Sequence, residues 1–64
     1  MILAIMNDGK MIKISFETAF DLLTNGNYKY VGYNKEKKGH EYTQKKINNG
    51  YPITIIDKQI ERRF

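Results

Sequence analysis

The dipeptide Asp8-Gly9 stands between two apolar runs, ILAIM and MIKISF, and no other feature of the 64 residues constrains the fold as tightly. Both central residues of a tight two-residue hairpin turn need positive φ, which is why Asp-Gly between apolar runs signals a β-hairpin. Such a turn pairs Met6 with Met11, Ile5 with Ile12 and Leu3 with Ile14. One face of the hairpin, residues 2–16, then carries Leu3, Ile5, Ile12 and Ile14. The other carries Ile2, Ala4, Met6, Met11 and Lys13, and it is too apolar to be left wholly in water.

The segment SFETAFDLLTNG changes period from two to 3.6. Phe16, Ala19, Phe20 and Leu23 fall at i, i+3, i+4 and i+7, one apolar stripe of a helix over residues 16–25. Ser15 is a side-chain acceptor for an unpaired N–H of the first turn, and Glu17 suits the positive end of the dipole. Asn25-Gly26 stops the helix, with Gly26 expected in the left-handed position that follows many helices.

Residues 28–34, YKYVGYN, read as a strand with Tyr28, Tyr30 and Gly32 on one face and Lys29, Val31 and Tyr33 on the other. KEKKG is a charged turn. Residues 40–48, HEYTQKKIN, fit either a short helix stopped at Asn49-Gly50 or a strand entering an Asn-Gly turn. A faint repeat, SFETAFDLLTNG against GHEYTQKKINNG at an offset of 24 residues, tips the reading toward helix. Residues 52–57 form a last strand, with Ile53 and Ile55 on one face and Thr54 and Ile56 on the other. Pro52 belongs at its start or on an edge, since proline cannot donate to a ladder. KQIERRF reads as a polar tail or a short terminal helix. The expectation is an α+β fold in a single domain over residues 1–64, with one amphipathic helix on a mainly antiparallel sheet of about four strands.

A chain this short has little core to bury, and without cysteine it has no disulfide or thiolate-bound metal to brace it. The apolar start lacks the basic flank and the cleavage site of a signal peptide. No apolar run approaches the roughly 20 residues that span a bilayer. These features describe a soluble, cytoplasmic protein. Lysine-, isoleucine- and asparagine-rich usage suits an AT-rich genome, as in low-GC bacteria and their phages.

Few groups offer chemistry. His40 is the single imidazole and sits in a charged, glycine-containing loop, where exposure is the ordinary role. Glu17 and Asp21 are one helical turn apart but on the polar side of the stripe. Ser15 is accounted for as a cap, and no phosphate-binding loop is present. The chain carries no catalytic constellation, no metal set and no cofactor motif, which argues against an enzyme.

Charge is uneven. Residues 1–26 carry Lys10 and Lys13 against Asp8, Glu17 and Asp21, while the remainder carries nine basic residues against four acidic ones, within a total of +4. The reading these features favour is a non-enzymatic binding protein from a phage or mobile element, an inhibitor or regulator that occupies a host protein. Its contact surface is expected at Met6, Met11, Tyr30, Tyr33 and Lys38, because adaptable methionines and amphipathic tyrosines suit interfaces. The alternative is a small basic nucleic-acid-binding accessory protein acting through Lys35, Lys37, Lys38, Lys45 and Lys46, with Arg62 and Arg63 extending the positive region. A self-assembling subunit is the third reading.

Overall fold

A computed structural model describes residues 1–46 and 50–58. The chain runs β1 (Ile2–Ile5), β2 (Met11–Ile14), α1 (Phe16–Asn25), β3 (Tyr28–Asn34), β4 (Gly39–Gln44) and β5 (Thr54–Asp57). All strands join one antiparallel sheet in the order β2-β1-β5-β4-β3, and α1 packs on one face of it. The fold is α+β, with five strands among the described residues, one more than expected. The additional strand is β4, where the sequence leans toward a short helix over residues 40–48; Ile47 and Asn48 of that span lie outside the described residues. Helical periodicity is weak there. Pairing along both edges, with β3 and with β5, decides the conformation. The helix–stop–strand repeat therefore does not exist. The expected polar tail from Gln59 onward also lies outside the described residues.

The N-terminal hairpin forms, but its register is shifted by one residue. Gly9 N–H donates to the Met6 carbonyl (2.9 Å) and Met6 N–H to the Lys10 carbonyl (2.8 Å). The loop is therefore Asn7-Asp8-Gly9, three residues, with only Gly9 at positive φ (+91°). Asp8 Oδ1 accepts from Lys10 N–H (3.0 Å), so Asp8 serves through its side chain and avoids the left-handed conformation a two-residue turn demands of it. Ile5 now pairs with Met11, Ala4 with Ile12, Leu3 with Lys13 and Ile2 with Ile14. Because side chains alternate with period two, this slip re-sorts both faces. Ile2, Ala4, Ile12 and Ile14 face the helix; Leu3, Ile5, Met11 and Lys13 lie on the reverse.

The helix begins where the sequence places it, with Ser15 Oγ accepting from Thr18 N–H (3.1 Å). Its buried arc is rotated from the expected stripe. Ala19 is buried, and Leu22 and Leu23 pack beside it on Ile2, Ile14 and Ile55, while Phe16 and Phe20 are each 59% exposed. Small Ala19 lets the helix approach the sheet, and the two phenyl rings stack on each other instead, with centroids 6.2 Å apart. Gly26 closes the helix by donating to the Leu22 carbonyl, but at φ −93° it is not left-handed. Glycine is needed there for space: a Cβ would lie 2.5 Å from Leu22 O and 2.9 Å from Tyr28 Cε1.

The middle strand, β5, comes after all the others in the chain. Its alternation is as expected: Ile55 points to the helix and Ile56 to the reverse, both 0% exposed. Pro52 precedes the strand, where its missing N–H costs no ladder bond, and Ile53 N–H already reaches the Ile5 carbonyl (2.8 Å). Among the described residues, no helix is long and apolar enough to cross a membrane.

Truncating Ile55 removes the side chain shared by both halves of the sheet and by α1. Ile55→Ala should cost about 2–5 kcal/mol, against a total of about 3–10 kcal/mol for a chain of this size. Urea unfolding followed by circular dichroism should show a partly or wholly unfolded population in water, whereas Met11→Ala on exposed β2 should shift the midpoint little.

Candidate functional site

The β3–β4 hairpin contains one irregularity, and it decides the face. Tyr28 pairs with Gln44, Lys29 with Thr43 and Tyr30 with Tyr42; the register then jumps, so that Gly32 pairs with Glu41 and Tyr33 with His40. Val31 is the extra residue of a β-bulge, and Gly32 takes φ +143°, a conformation side-chain-bearing residues rarely adopt. Beyond the bulge the alternation is reversed. Tyr33, expected opposite Tyr28 and Tyr30, comes round to their side, which is also the side that carries α1.

A row of rings results. Tyr30 lies 5.3 Å from Tyr42 and 5.8 Å from His40 between centroids, and Tyr33 meets His40 edge-on at 5.2 Å. Tyr42 and Tyr28 at the inner end pack against the core, whereas Tyr30 and Tyr33 are 54% and 55% exposed. The Tyr30 hydroxyl lies 2.9 Å from His40 Nδ1. The Nε2–H tautomer of His40 accepts this hydrogen bond from the phenol, and the Nδ1–H tautomer donates it to the phenol oxygen. His40 thereby braces the two exposed rings from between them.

Lysines stand at both ends of this row. Lys35, Lys37 and Lys38 form the β3–β4 turn, held by Asn34, whose Oδ1 accepts from Lys37 N–H (2.9 Å) and whose Nδ2 donates to Glu41 Oε1 (3.0 Å). Lys45 and Lys46 follow β4 at the far end, where Lys45 N–H donates to the Asn27 carbonyl (2.7 Å). At about 3.3 Å per residue the two groups are about 20 Å apart. Between Tyr28 and Lys46 there are six lysines against Glu36 and Glu41, a net of +4 that equals the charge of the whole chain. Glu41 pairs with Gly32 and Ile56, and Lys29 with Thr43, so both lie on the reverse face, away from the rings.

The five residues expected as one protein-binding surface do not meet. Met11 is on the reverse face of β2, one outer strand, and Met6 is half-buried at the hairpin mouth. Tyr30 and Tyr33 are on the helix side of β3, the opposite outer strand, and only Lys38 is near them in the hairpin. The lysines of the alternative set frame the rings. The sequence reading missed Tyr42 and His40 as members of the site; a glycine inside a strand pattern, Gly32, was the available sign of a bulge.

Beside Tyr28 the row runs into a groove of about 780 Å³ between the C-terminal half of α1 and the ends of β3 and β4. Asp21, Asn25, Asn27, Gln44, Lys46 and Tyr51 are among its lining residues. Tyr28 donates its hydroxyl to the Pro52 carbonyl (2.5 Å). Burial pushes the Tyr28 phenol above its ordinary value, opposed by a hydrogen bond with Gln44 and reinforced by nearby Tyr51. Burial likewise raises Tyr42, with the charges of Asp57 and Tyr30 adding to it.

No protein-family model matches the chain, and neither a curated protein nor a solved structure matches it. The residues alone carry the functional reading.

Gly32→Ala meets no steric obstacle, since nothing lies within 4 Å of the position a methyl group would take, so its cost is conformational. It should destabilise the chain by about 1–3 kcal/mol, and nuclear Overhauser contacts between the Tyr33 and His40 rings should weaken or vanish. Raised tyrosine values in the folded state mean that the folded chain holds its phenol protons longer than the unfolded chain. Their stabilising contribution is complete below the ordinary value of 10.0 and is lost as pH rises through the folded value. Tyr42→Phe should therefore lose less stability than the parent between neutral and strongly alkaline pH, measured as the shift in urea midpoint.

Proposed function

We propose that the protein is a non-enzymatic accessory factor that binds single-stranded nucleic acid along the tyrosine face of the β3–β4 hairpin. The observation that carries this reading is the joint placement of Tyr30, Tyr33 and His40 on one exposed face with lysines at both ends. Unpaired bases offer free π-faces to aromatic side chains, and a phosphate backbone needs cations along its path. Bases inside a duplex are already stacked, so exposed rings on a sheet face favour single strands. An antiparallel sheet keeps the rings in place without the strand's help, which spares the ordering cost of binding.

Anisotropy of labelled single-stranded RNA and DNA oligonucleotides tests the reading. The logarithm of the affinity should fall linearly with the logarithm of salt concentration, and Lys37→Glu with Lys38→Glu should flatten that dependence by more than one unit of slope. Tyr30→Ala and Tyr33→Ala should each lose about 1–3 kcal/mol of binding. Absence of binding to every oligonucleotide at low salt, or full binding by the double tyrosine variant, would overturn the proposal.

A second reading is favoured by a separate observation. The stacked Phe16–Phe20 pair is exposed on α1, and Ile12 of β2 is exposed on the same side of the sheet. Such a patch suits a protein contact, as for a phage-derived inhibitor of a host protein. This reading takes precedence if no oligonucleotide binds and Phe20→Glu abolishes an association seen by sedimentation.

A further inference from the structure

We infer that the groove beside Tyr28 takes one base of the bound strand and selects guanine. The inference rests on the strand-binding reading and adds to it a sequence preference that the ring row itself cannot supply, since stacking tolerates every base. Position is the first argument. Tyr28 is both the inner end of the row and a wall of the groove, and Lys46 belongs both to the lysine pair that closes the row and to the groove lining. A strand lying on Tyr33 and Tyr30 thus delivers its next nucleotide to the groove mouth. At about 780 Å³ the groove falls within the range of sites that enclose a small organic ligand.

The lining chemistry is the second argument. Tyr28 and Tyr51 place two aromatic rings in the groove lining. The Tyr28 hydroxyl is engaged by Pro52 and Gln44 by Tyr28; beside the Thr18 and Tyr51 hydroxyls, the polar groups of the lining are Asp21, Asn25, Asn27 and Lys46, and Asp21 alone among them is a carboxylate. Ionised Asp21 only accepts hydrogen bonds, and its charge repels a phosphate, so the base enters and the phosphate remains outside with exposed Lys45. An acceptor-only group needs donors. Guanine alone among the common bases sets two adjacent donors, N1–H and the N2 amine, on one edge. Its neighbouring edge carries two acceptors, O6 and N7, which suit the Lys46 ammonium or an asparagine amide. Uracil or thymine would turn carbonyl oxygens toward Asp21.

The test uses a series of all-thymidine oligonucleotides carrying one central guanosine, inosine, adenosine or no replacement, with the intact chain. Guanosine should raise affinity roughly five- to a hundredfold over thymidine. Inosine, which lacks the N2 amine, should lose most of that gain. Asp21→Ala, which removes the acceptor, should bring guanosine and inosine to the same affinity, while Tyr30→Ala should weaken all four and leave their ratio intact. Equal affinity for all four, or an undiminished guanosine-to-inosine ratio in Asp21→Ala, overturns the guanine pocket and leaves the strand-binding face standing. Failure of all four to bind overturns both.

Discussion

Thr54–Asp57 make ladder hydrogen bonds on both edges, to β1 on one side and to β4 on the other, and the rest of the structure depends on that double pairing. Without β5 the chain is two separate hairpins and a helix, and an isolated two-stranded hairpin is marginal in water at best. Ile55 then gives the helix a floor, and Ile56 fills the reverse side. The joining strand also lies far along the chain from its β1 partner, so its pairing is the contact of longest sequence separation in the sheet.

The elements were more legible in the sequence than their orientations. Asp8-Gly9 announced a hairpin, yet whether its loop holds two residues or three turns on whether Asp8 enters the left-handed region or caps Lys10 from its side chain. That single choice put Ile12 and Ile14 on the face of Ile2 and Ala4 instead of the face of Leu3 and Ile5. Ser15 and Asn25 marked the helix ends, but a stripe containing two phenylalanines outweighed the small residue that allows close approach, so the buried arc was misplaced toward Phe16 and Phe20. For β4 the local pattern was weak, and partners on both edges settled it.

The candidate site follows the same logic. Its tyrosines and lysines were visible as a run of letters, but a run does not say which side chains share a face. Val31 and Gly32 make that decision, and only the pairing with His40 and Glu41 exposes it. The groove was not legible at all, because its walls come from α1, the start of β3, the end of β4 and Tyr51, positions that only the closed sheet brings together.

The bulge has one more effect. A regular outer strand presents evenly spaced backbone donors and acceptors, and another chain can add to it as a further strand. The extra residue at Val31 breaks that spacing in the middle of β3, and Gly32 turns the backbone out of line. The ring-bearing edge of the sheet is thereby a poor template for growth, and this tyrosine-rich strand resists being capped by a copy of itself.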